Sequence, residues 1–223
     1  MMYETERATI IATLKEMVDS GLIINTSGNV SMKIDDHIIL SPSGASYATL
    51  APSDILVMDQ DKNILDGSLL PSSETDLHYA LYASNKDIKA IVHTHSLNAT
   101  AVSNIVTELP AVHYQIVDLG GVVSVGPYET FGSPELATVV TSHIKGRSAV
   151  LMQNHGAVTI GDNLREALNR SILLEWLASL FLISSHEKAP ASSLSEQQLR
   201  AVVLQKQKYT ELRKAYKLKI NNT

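Results

Sequence analysis

The sequence contains no cysteine, and this absence restricts the chemistry available to the chain. Disulfide bonds, thiolate nucleophiles and cysteine-bound metals are excluded, so any metal must be held by histidine and carboxylate side chains. A chain without cysteine suits a reducing compartment, and we expect a cytoplasmic location. The N-terminus is acidic and amphipathic rather than basic and then apolar, so we expect no signal peptide.

The sequence also has few charged residues, and no basic run stands out before the C-terminal tail. Charged residues make up 18% of the 223 positions and the formal net charge is -5. This balance is unfavourable for a nucleic-acid-binding protein. No apolar run looks long enough to span a bilayer, so we expect no membrane partner either. Hydrophobic residues at 44% are sufficient for the core of a globular domain.

Helical and extended patterns alternate along the chain, which indicates an α/β fold. Helices are predicted over 4–20, 75–84, 99–106, 133–145, 164–186 and from about Glu196, and strands over 30–34, 37–40, 55–58, 91–95, 149–152 and 158–160. In the fifth helix we assign the core face to Ile172, Leu173, Trp176, Leu177, Leu180 and Phe181. No linker divides the chain, so one domain over 1–223 is predicted, with a mobile tail after about residue 210.

The strand predicted at 91–95 ends in two histidines, His93 and His95. Residues two apart on a strand point to the same side, so both imidazoles are directed at one place. Glu74 and His155 lie in small polar loops and could join them. Three imidazoles and a carboxylate suit a divalent metal such as zinc, and a displaceable carboxylate leaves a position for substrate. Alone, the two histidines could equally be ordinary polar residues at a strand end.

Three loops of small residues could bind a phosphate. They are Thr26-Ser27-Gly28-Asn29, Ser43-Gly44 and Ser72-Ser73. Each offers hydroxyls and backbone N–H groups, and the third precedes a predicted helix, whose N-terminus favours an anion. Each loop taken alone is also a plausible turn or helix cap. Because Ser73 is bonded to Glu74, a phosphate at this loop would lie close to the predicted metal.

Taken together, these motifs resemble the zinc-dependent class II aldolase/epimerase family, which includes adducin-like domains, and are most similar to its fuculose phosphate aldolases. The resemblance extends from the first helix to about Tyr209 and is carried by Thr26-x-Gly28-Asn29-Val30-Ser31, Ser41-Pro42-Ser43-Gly44, Pro71-Ser72-Ser73-Glu74, His93-Thr94-His95 and Gln153-Asn154-His155-Gly156. It implies a three-layer α/β/α sandwich around a mixed, mostly antiparallel sheet.

The resemblance also implies a set of site residues. One zinc ion per subunit would be bound by Glu74, His93, His95 and His155. The substrate phosphate would be bound by Thr26, Gly28, Asn29, Ser43, Gly44, Ser72 and Ser73. Members of the family form homotetramers with active sites at subunit interfaces. Tyr114 matches a tyrosine that reaches the site of the neighbouring subunit, Tyr209 matches a second, C-terminal tyrosine, and Phe131 matches an aromatic residue near the substrate.

The implied reaction is cleavage of a ketose 1-phosphate, such as fuculose 1-phosphate or a similar deoxy-sugar phosphate. The products would be dihydroxyacetone phosphate and an aldehyde, formed through a zinc-stabilised enediolate. Glu74 would transfer the proton at C3 and Tyr114 the proton on the C4 oxygen. No lysine lies in a motif that indicates a Schiff base.

Several alternatives remain open at this stage. A ribulose-phosphate 4-epimerase of the same family would have an aspartate in place of Glu74 and a longer insert near Tyr114, and this chain has neither. A methylthioribulose-phosphate dehydratase would share the histidine cluster. An aldolase for a 5-deoxy-pentulose phosphate would show the same motifs. An adducin-like interaction module would have lost the metal ligands, and a purely structural metal would not need the phosphate loops.

Overall fold

A computed structural model describes the backbone of residues 1–185 and 191–221, and side chains within these ranges as far as residue 214. The helices are α1 (Glu4–Asp19), α2 (Thr75–Ser84), α3 (Leu97–Ser103), α4 (Pro134–His143), α5 (Leu164–Ser184) and α6 (Glu196–Asn221). The strands are β1 (Asn29–Ile34), β2 (His37–Leu40), β3 (Leu56–Met58), β4 (Ile64–Asp66), β5 (Ala90–Thr94), β6 (Glu108–Leu109), β7 (Val123–Gly126), β8 (Ala149–Met152) and β9 (Gly156–Gly161).

All of these strands join one sheet in the order β4-β3-β2-β1-β5-β9-β8-β7-β6. Neighbouring strands are antiparallel except β7 and β8, which are parallel. The expected mixed, mostly antiparallel sheet is therefore confirmed. Its central strand is β5, the strand that carries the paired histidines.

Helices cover both faces of the sheet. Successive strand residues point to opposite sides, and here both sets are apolar, so each face is buried under a layer of helices. Ile39 and Val92 pack with α1 and the beginning of α5 on one face. Ile38 and Ile91, one position earlier in each strand, pack with α2 and α4 on the other face. These two apolar layers confirm the predicted three-layer α/β/α sandwich.

Two helices begin where their capping residues predict. The Ser133 side chain accepts a hydrogen bond from Leu136 N at 3.1 Å, and Pro134 occupies the first helical position of α4. The Asn163 side chain accepts a hydrogen bond from Glu166 N at 3.0 Å at the start of α5. Both side chains satisfy backbone donors that the first turn of a helix leaves free.

The core face of α5 differs from the predicted face. Ile172 and Trp176 were assigned to the core, yet Trp176 is 47% exposed and Ile172 is 37% exposed. The buried residues are instead Leu164, Ala167, Leu168, Ser171, Leu174, Leu177, Ala178 and Phe181. The apolar residues of α5 are distributed around most of its circumference, so their helical spacing alone did not identify the buried face. Ser171 is buried because its hydroxyl bonds to that of Thr159 at 2.6 Å.

The same helix corrects the expectation about membrane-length segments. By length and composition, α5 could cross a bilayer, so the prediction that no stretch is long enough was wrong on that point. Core helices of soluble proteins meet the same criterion, which makes a single such helix weak evidence for a membrane. Here α5 packs along β9, β5 and α3.

Other local differences lie at the ends of the sheet. The predicted strands do not include β4 at one edge of the sheet, or β7 and β6 at the other end. The predicted end of the fifth helix at residue 186 lies outside the described residues. The helical backbone of α6 continues to Asn221. Most side chains after residue 210 lie outside the described residues, so the predicted mobility of this tail stays a prediction. The single domain over 1–223 also stays a prediction.

Candidate metal centre and phosphate pocket

The candidate site is built at one end of the three central strands. His93 on β5 lies opposite Asn29 on β1 and opposite Val158 on β9. β5 is buried along its whole length, so the His93 side chain projects from the sheet into a buried region. The tight connection between β8 and β9 brings His155 to the same end. Glu74 reaches the site from the residue that precedes α2.

Four side chains meet at this point. The ligand atoms of Glu74, His93, His95 and His155 all lie within 4.8 Å of one another. Glu74 Oε2 is 2.9 Å from His93 Nε2, and His93 Nε2 is 2.8 Å from His95 Nε2. His155 Nε2 is 3.3 Å from Glu74 Oε1. The structure thus brings together every residue that the sequence nominated for a metal.

The donor set fits a divalent cation. Glu74 Oε1 is buried and has no hydrogen-bond partner within the described part of the chain, which is costly for a carboxylate oxygen unless a cation neutralises it. The Nδ1 atom of His93 lies 3.0 Å from the Ala157 carbonyl oxygen, an acceptor. Nδ1 must therefore carry the proton, which leaves Nε2 available as a metal ligand.

The electrostatics of the cluster favour neutral imidazoles at His95 and His155 and a charged carboxylate at Glu74. Burial, reinforced by His93, lowers the pKa of His95 to about 3 and that of His155 to about 4. Burial also lowers the pKa of His93, but the charge of Glu74 and the hydrogen bonds to Glu74 and Ala157 together outweigh it and raise that pKa above its ordinary value. Burial raises the pKa of Glu74, yet the charge and hydrogen bond of His93 reverse the direction and lower it. Glu74 is therefore ionised at neutral pH, as a metal ligand must be.

A cavity of about 190 Å³ adjoins the cluster and collects the predicted phosphate loops. Its lining includes Thr26, Ser27, Gly28, Asn29, Ser43, Gly44, Ser72, Ser73, Glu74, His95, Phe131 and His155. Two contacts draw separate loops together: Pro42 bridges to Pro71, and Ser43 N donates to the Leu70 carbonyl at 2.8 Å. The three loops therefore meet beside the candidate metal centre, with no lysine or arginine among the lining residues.

Sequence reasoning missed a tyrosine that supports this pocket. The buried Tyr47 hydroxyl lies 2.8 Å from the Thr26 carbonyl oxygen and 2.6 Å from that of Gly28, so it holds the first loop in place. A lone tyrosine in a turn-rich segment gave no signal of this role. Gly28 has a φ of +146° and packs against Ile23 and the His93 backbone, where a Cβ would collide.

The two nominated tyrosines lie elsewhere in the chain. Tyr114 and Tyr209 line a separate cavity between α6 and the 3₁₀ segment Tyr114–Leu119. Tyr114 is 48% exposed and Tyr209 is 59% exposed. Neither lines the metal cavity of its own chain, whereas Phe131 does. The structure of one chain thus leaves the predicted roles of both tyrosines as predictions.

A buried histidine near the site was also missed. His78 lies on α2, and its Nε2 is 2.5 Å from Asn29 Oδ1. None of the sequence motifs includes this histidine. Its position one turn after Glu74 was the available signal, because residues four apart share a helix face.

Comparison with known proteins gives consistent matches over most of the chain. The sequence profile of the class II aldolase and adducin N-terminal domain matches residues 8–182. The L-fuculose phosphate aldolase of Escherichia coli strain K12 is 40% identical over 205 residues, covering 92% of this chain and 94% of that protein. The 5-deoxy-D-ribulose 1-phosphate aldolase of Bacillus thuringiensis serovar kurstaki is 37% identical over 183 residues, covering 81% and 86%. A solved L-fuculose 1-phosphate aldolase has a TM-score of 0.86 at 32% identity, covering 90% of this chain and 95% of that one.

Proposed function

The chain belongs to the class II aldolase and adducin N-terminal domain family, and from this membership we propose that it is a zinc-dependent aldolase that cleaves a ketose 1-phosphate. Its family and its aldolase relatives indicate a lyase. We infer the substrate class from one observation, which is that the two sites share a residue. Glu74 belongs to the histidine cluster and also lines the phosphate cavity. A small phosphorylated sugar would reach both.

The proposed metal ligands are Glu74, His93, His95 and His155, with one zinc ion in each subunit. Nitrogen and carboxylate donors suit zinc, and the described cluster contains no softer donor. A bound zinc ion would supply Lewis acidity, which stabilises negative charge on the oxygens of the substrate. The phosphate would be held by hydroxyls and backbone groups of Thr26, Gly28, Asn29, Ser43, Gly44, Ser72 and Ser73.

Cleavage of the C3–C4 bond requires two proton transfers. The C4 hydroxyl loses its proton as the aldehyde forms, and C3 of the dihydroxyacetone phosphate product gains one. We assign the C3 proton to Glu74, whose carboxylate lies between the histidines and the phosphate loops. Each such transfer by a positioned side chain typically contributes about 10²–10⁴-fold to the rate.

We assign the C4 proton to Tyr114 of a neighbouring subunit, in a homotetramer with sites at its interfaces. Two features support this arrangement. Tyr114 is half exposed and lies outside the metal cavity of its own chain. His113 contacts the ring of Tyr114 and that of the exposed Trp176, at centroid distances of 4.4 and 4.9 Å. A partly apolar aromatic surface of this kind suits contact with another subunit. Tyr209 would complete the same interface.

Two relatives suggest two candidate substrates, which would give different aldehyde products. One relative is named for L-fuculose phosphate and another for 5-deoxy-D-ribulose 1-phosphate. Both substrates place a phosphate, a ketose and a terminal methyl group in the same order. We propose a deoxy-ketose 1-phosphate of this class, with selectivity set near the exposed Phe131, which lines the cavity, and the exposed Tyr128 three positions earlier in the chain.

The proposal is tested by measuring the release of dihydroxyacetone phosphate from purified protein of known metal content. Fuculose 1-phosphate, ribulose 1-phosphate and 5-deoxy-ribulose 1-phosphate are compared, with and without a chelator. Chelator-sensitive release is the expected result, and the ranking of rates identifies the preferred aldehyde. A zinc-loaded protein that releases no dihydroxyacetone phosphate would contradict the aldolase, and the 4-epimerase or the dehydratase would then be tested on the same site.

A further inference from the structure

A chain of hydrogen bonds leads from the hydrophobic core to the Glu74 carboxylate. Tyr82 OH lies 2.7 Å from Ser31 Oγ, which lies 2.6 Å from His78 Nδ1. His78 Nε2 lies 2.5 Å from Asn29 Oδ1, and Asn29 Nδ2 donates to Glu74 Oε2 at 2.9 Å. All five side chains are buried, with His78 and Ser31 at 0% exposure.

The secondary structure explains why these five residues meet. Glu74, His78 and Tyr82 are spaced four apart, so they lie on one face of α2 and the residue before it. Asn29 and Ser31 are two apart on β1 and point to the same side of the sheet. One face of a helix therefore lies along one side of a strand, and the polar side chains alternate between them.

The direction of each hydrogen bond follows from its partners. An ionised carboxylate only accepts, so the Asn29 amide must turn its NH₂ group towards Glu74 and its oxygen towards His78. His78 Nε2 must then carry a proton and donate it to that oxygen. In a neutral imidazole Nδ1 accepts, so Ser31 donates to it and Tyr82 donates to Ser31. Every bond in the chain then points towards Glu74.

We propose that His78, Ser31 and Tyr82 are positioning residues that act through Asn29 to orient the Glu74 carboxylate. This inference rests on the proposed metal-dependent function and deepens it. Asn29 holds Oε2, while Oε1 faces His155 with no other partner in the described chain. If His78 did not donate to it, the Asn29 amide could rotate and place its oxygen against the carboxylate, which would repel it.

A histidine used only for packing would need fewer partners. His78 is fully buried, yet both of its ring nitrogens have polar partners, and neither of those partners is backbone. Asn29 in turn lines the phosphate cavity and bonds directly to the candidate zinc ligand. The chain of bonds therefore connects the core to the place where the phosphate and metal sites meet. Partners of metal ligands of this kind typically affect metal affinity or activity by 10–100-fold.

The test compares variants of the full-length protein with two readouts. The first is the affinity of the metal-free protein for zinc alone, measured by competition with a chromophoric chelator. The second is kcat and KM for the best of the three sugar phosphates, with zinc in excess. His78→Leu removes both polar contacts, whereas His78→Gln places an amide N–H near the position of Nε2 and keeps the donor to Asn29.

We expect His78→Leu to weaken zinc binding and to lower kcat, each by about 10–100-fold, with a smaller change in KM. His78→Gln should recover most of both losses. Ser31→Ala and Tyr82→Phe should show progressively smaller effects, because they act further from Glu74. Tyr79→Phe is the matched control for Tyr82→Phe, since it also removes a hydroxyl hydrogen bond from α2, but one made to Asp59 outside the chain.

The outcomes separate this inference from the proposed function. Wild-type protein that binds no zinc would overturn the proposed function, and the inference with it. Wild-type protein that binds zinc, together with a folded His78→Leu variant of equal affinity and kcat, would overturn the inference alone. So would a His78→Gln variant as impaired as His78→Leu. If His78→Leu does not fold, equal zinc affinity and kcat in Ser31→Ala, Tyr82→Phe and Tyr79→Phe would overturn it.

Discussion

The Glu74 carboxylate makes contacts on two sides. Asn29 donates to one oxygen, and His155 approaches the other at 3.3 Å. The first contact fixes the group to the protein, and the second directs it towards the site where a cation would be bound. In the proposed mechanism Glu74 would transfer a proton, and the Asn29 hydrogen bond would keep the carboxylate in place whether or not it contacts a metal.

At the residue scale, the clearest prediction concerns the charge of Glu74. Glu74→Gln keeps the size of the side chain but removes its basicity, so we expect kcat to fall by at least about 10²-fold while the protein folds and retains some zinc. Steady-state cleavage and metal analysis on the same sample measure both effects. Asp76→Asn is the control, because this exposed carboxylate two positions later pairs with Lys62. Near wild-type activity in Glu74→Gln would remove Glu74 from proton transfer.

The residues of the site were predictable from sequence to different extents. His93 and His95 could be paired because strand geometry places residues two apart on one side. Glu74 and His155 could be nominated by residue type, but the pairing of β5 with β9 brings His155 to His93, and the placement of α2 brings Glu74 there. The position of His78 four residues after Glu74 was a weak signal of its role, because its partners Asn29 and Ser31 lie more than forty positions away in sequence.

At the element scale, one helix supplies the cap of another. α3 begins two residues after His95, and its first N–H groups have no cap from the adjoining Ser96 side chain. Glu175 on α5 accepts instead from Asn98 N at 2.9 Å and from Ala99 N at 2.8 Å. The carboxylate also suits the positive end of the helix dipole. The segment that follows β5 is thereby attached to α5.

We expect Glu175→Ala to destabilise the metal-free protein by about 1–2 kcal/mol, the usual effect of losing a helix cap. Urea denaturation followed by circular dichroism measures the difference. Glu196→Ala on α6 removes an exposed i,i+4 ion pair with Arg200 and serves as the control, with an expected change below about 0.5 kcal/mol. Equal stabilities for the two variants would show that the capping contact is unimportant.

Element prediction succeeded where the pattern was local and failed where it was not. The bounds of α2 and β8 agree with the predicted ranges, since each has regular spacing between turn residues. β4, β6 and β7 were missed, because strands of two to four residues in segments rich in turn-forming residues show too little periodicity to be recognised without their pairing partners. The core face of α5 was misplaced for a similar reason: its packing on β9, and not its composition, determines which side is buried.

At the scale of the whole molecule, the proposed tetramer makes Tyr114 the residue to change. Tyr114→Phe should slow cleavage by about 10²-fold without altering zinc content or subunit number, because only the hydroxyl is lost. Kinetics, metal analysis and sedimentation measure the three properties. Tyr3→Phe is a control, since it also removes one tyrosine hydroxyl, but one that is bonded to His37 away from the candidate metal centre. A tetramer structure that places Tyr114 far from every metal centre would remove it from the mechanism.

The metal-free protein should also lose stability in mild acid. The pKa of His78 is lowered to about 3 by burial, and that of His155 to about 4, from an ordinary value of 6.5. Between pH 6.5 and about 4 the unfolded chain therefore binds more protons than the folded chain, so the free energy of unfolding falls as the pH falls. The raised pKa of His93 opposes this trend but is one group against three, since His95 is lowered as well.

Denaturation midpoints of the metal-free protein at pH 7 and pH 5 measure this effect, and we expect the lower midpoint at pH 5. The His78→Leu variant should show a weaker pH dependence, because one of the three groups is gone. A midpoint that does not change between these two pH values would contradict the assignment of neutral, buried histidines.

The position of β5 in the sheet has a consequence for the order of events during synthesis. Its two neighbours, β1 and β9, are each about 60 residues away in sequence, and such distant pairings form slowly. His93 and His95 leave the ribosome well before His155, so the nascent chain holds an incomplete set of ligands until β9 has been made. We therefore expect zinc to be bound only after β9 has paired with β5. A chain truncated before β9 should fold without a metal centre or be degraded.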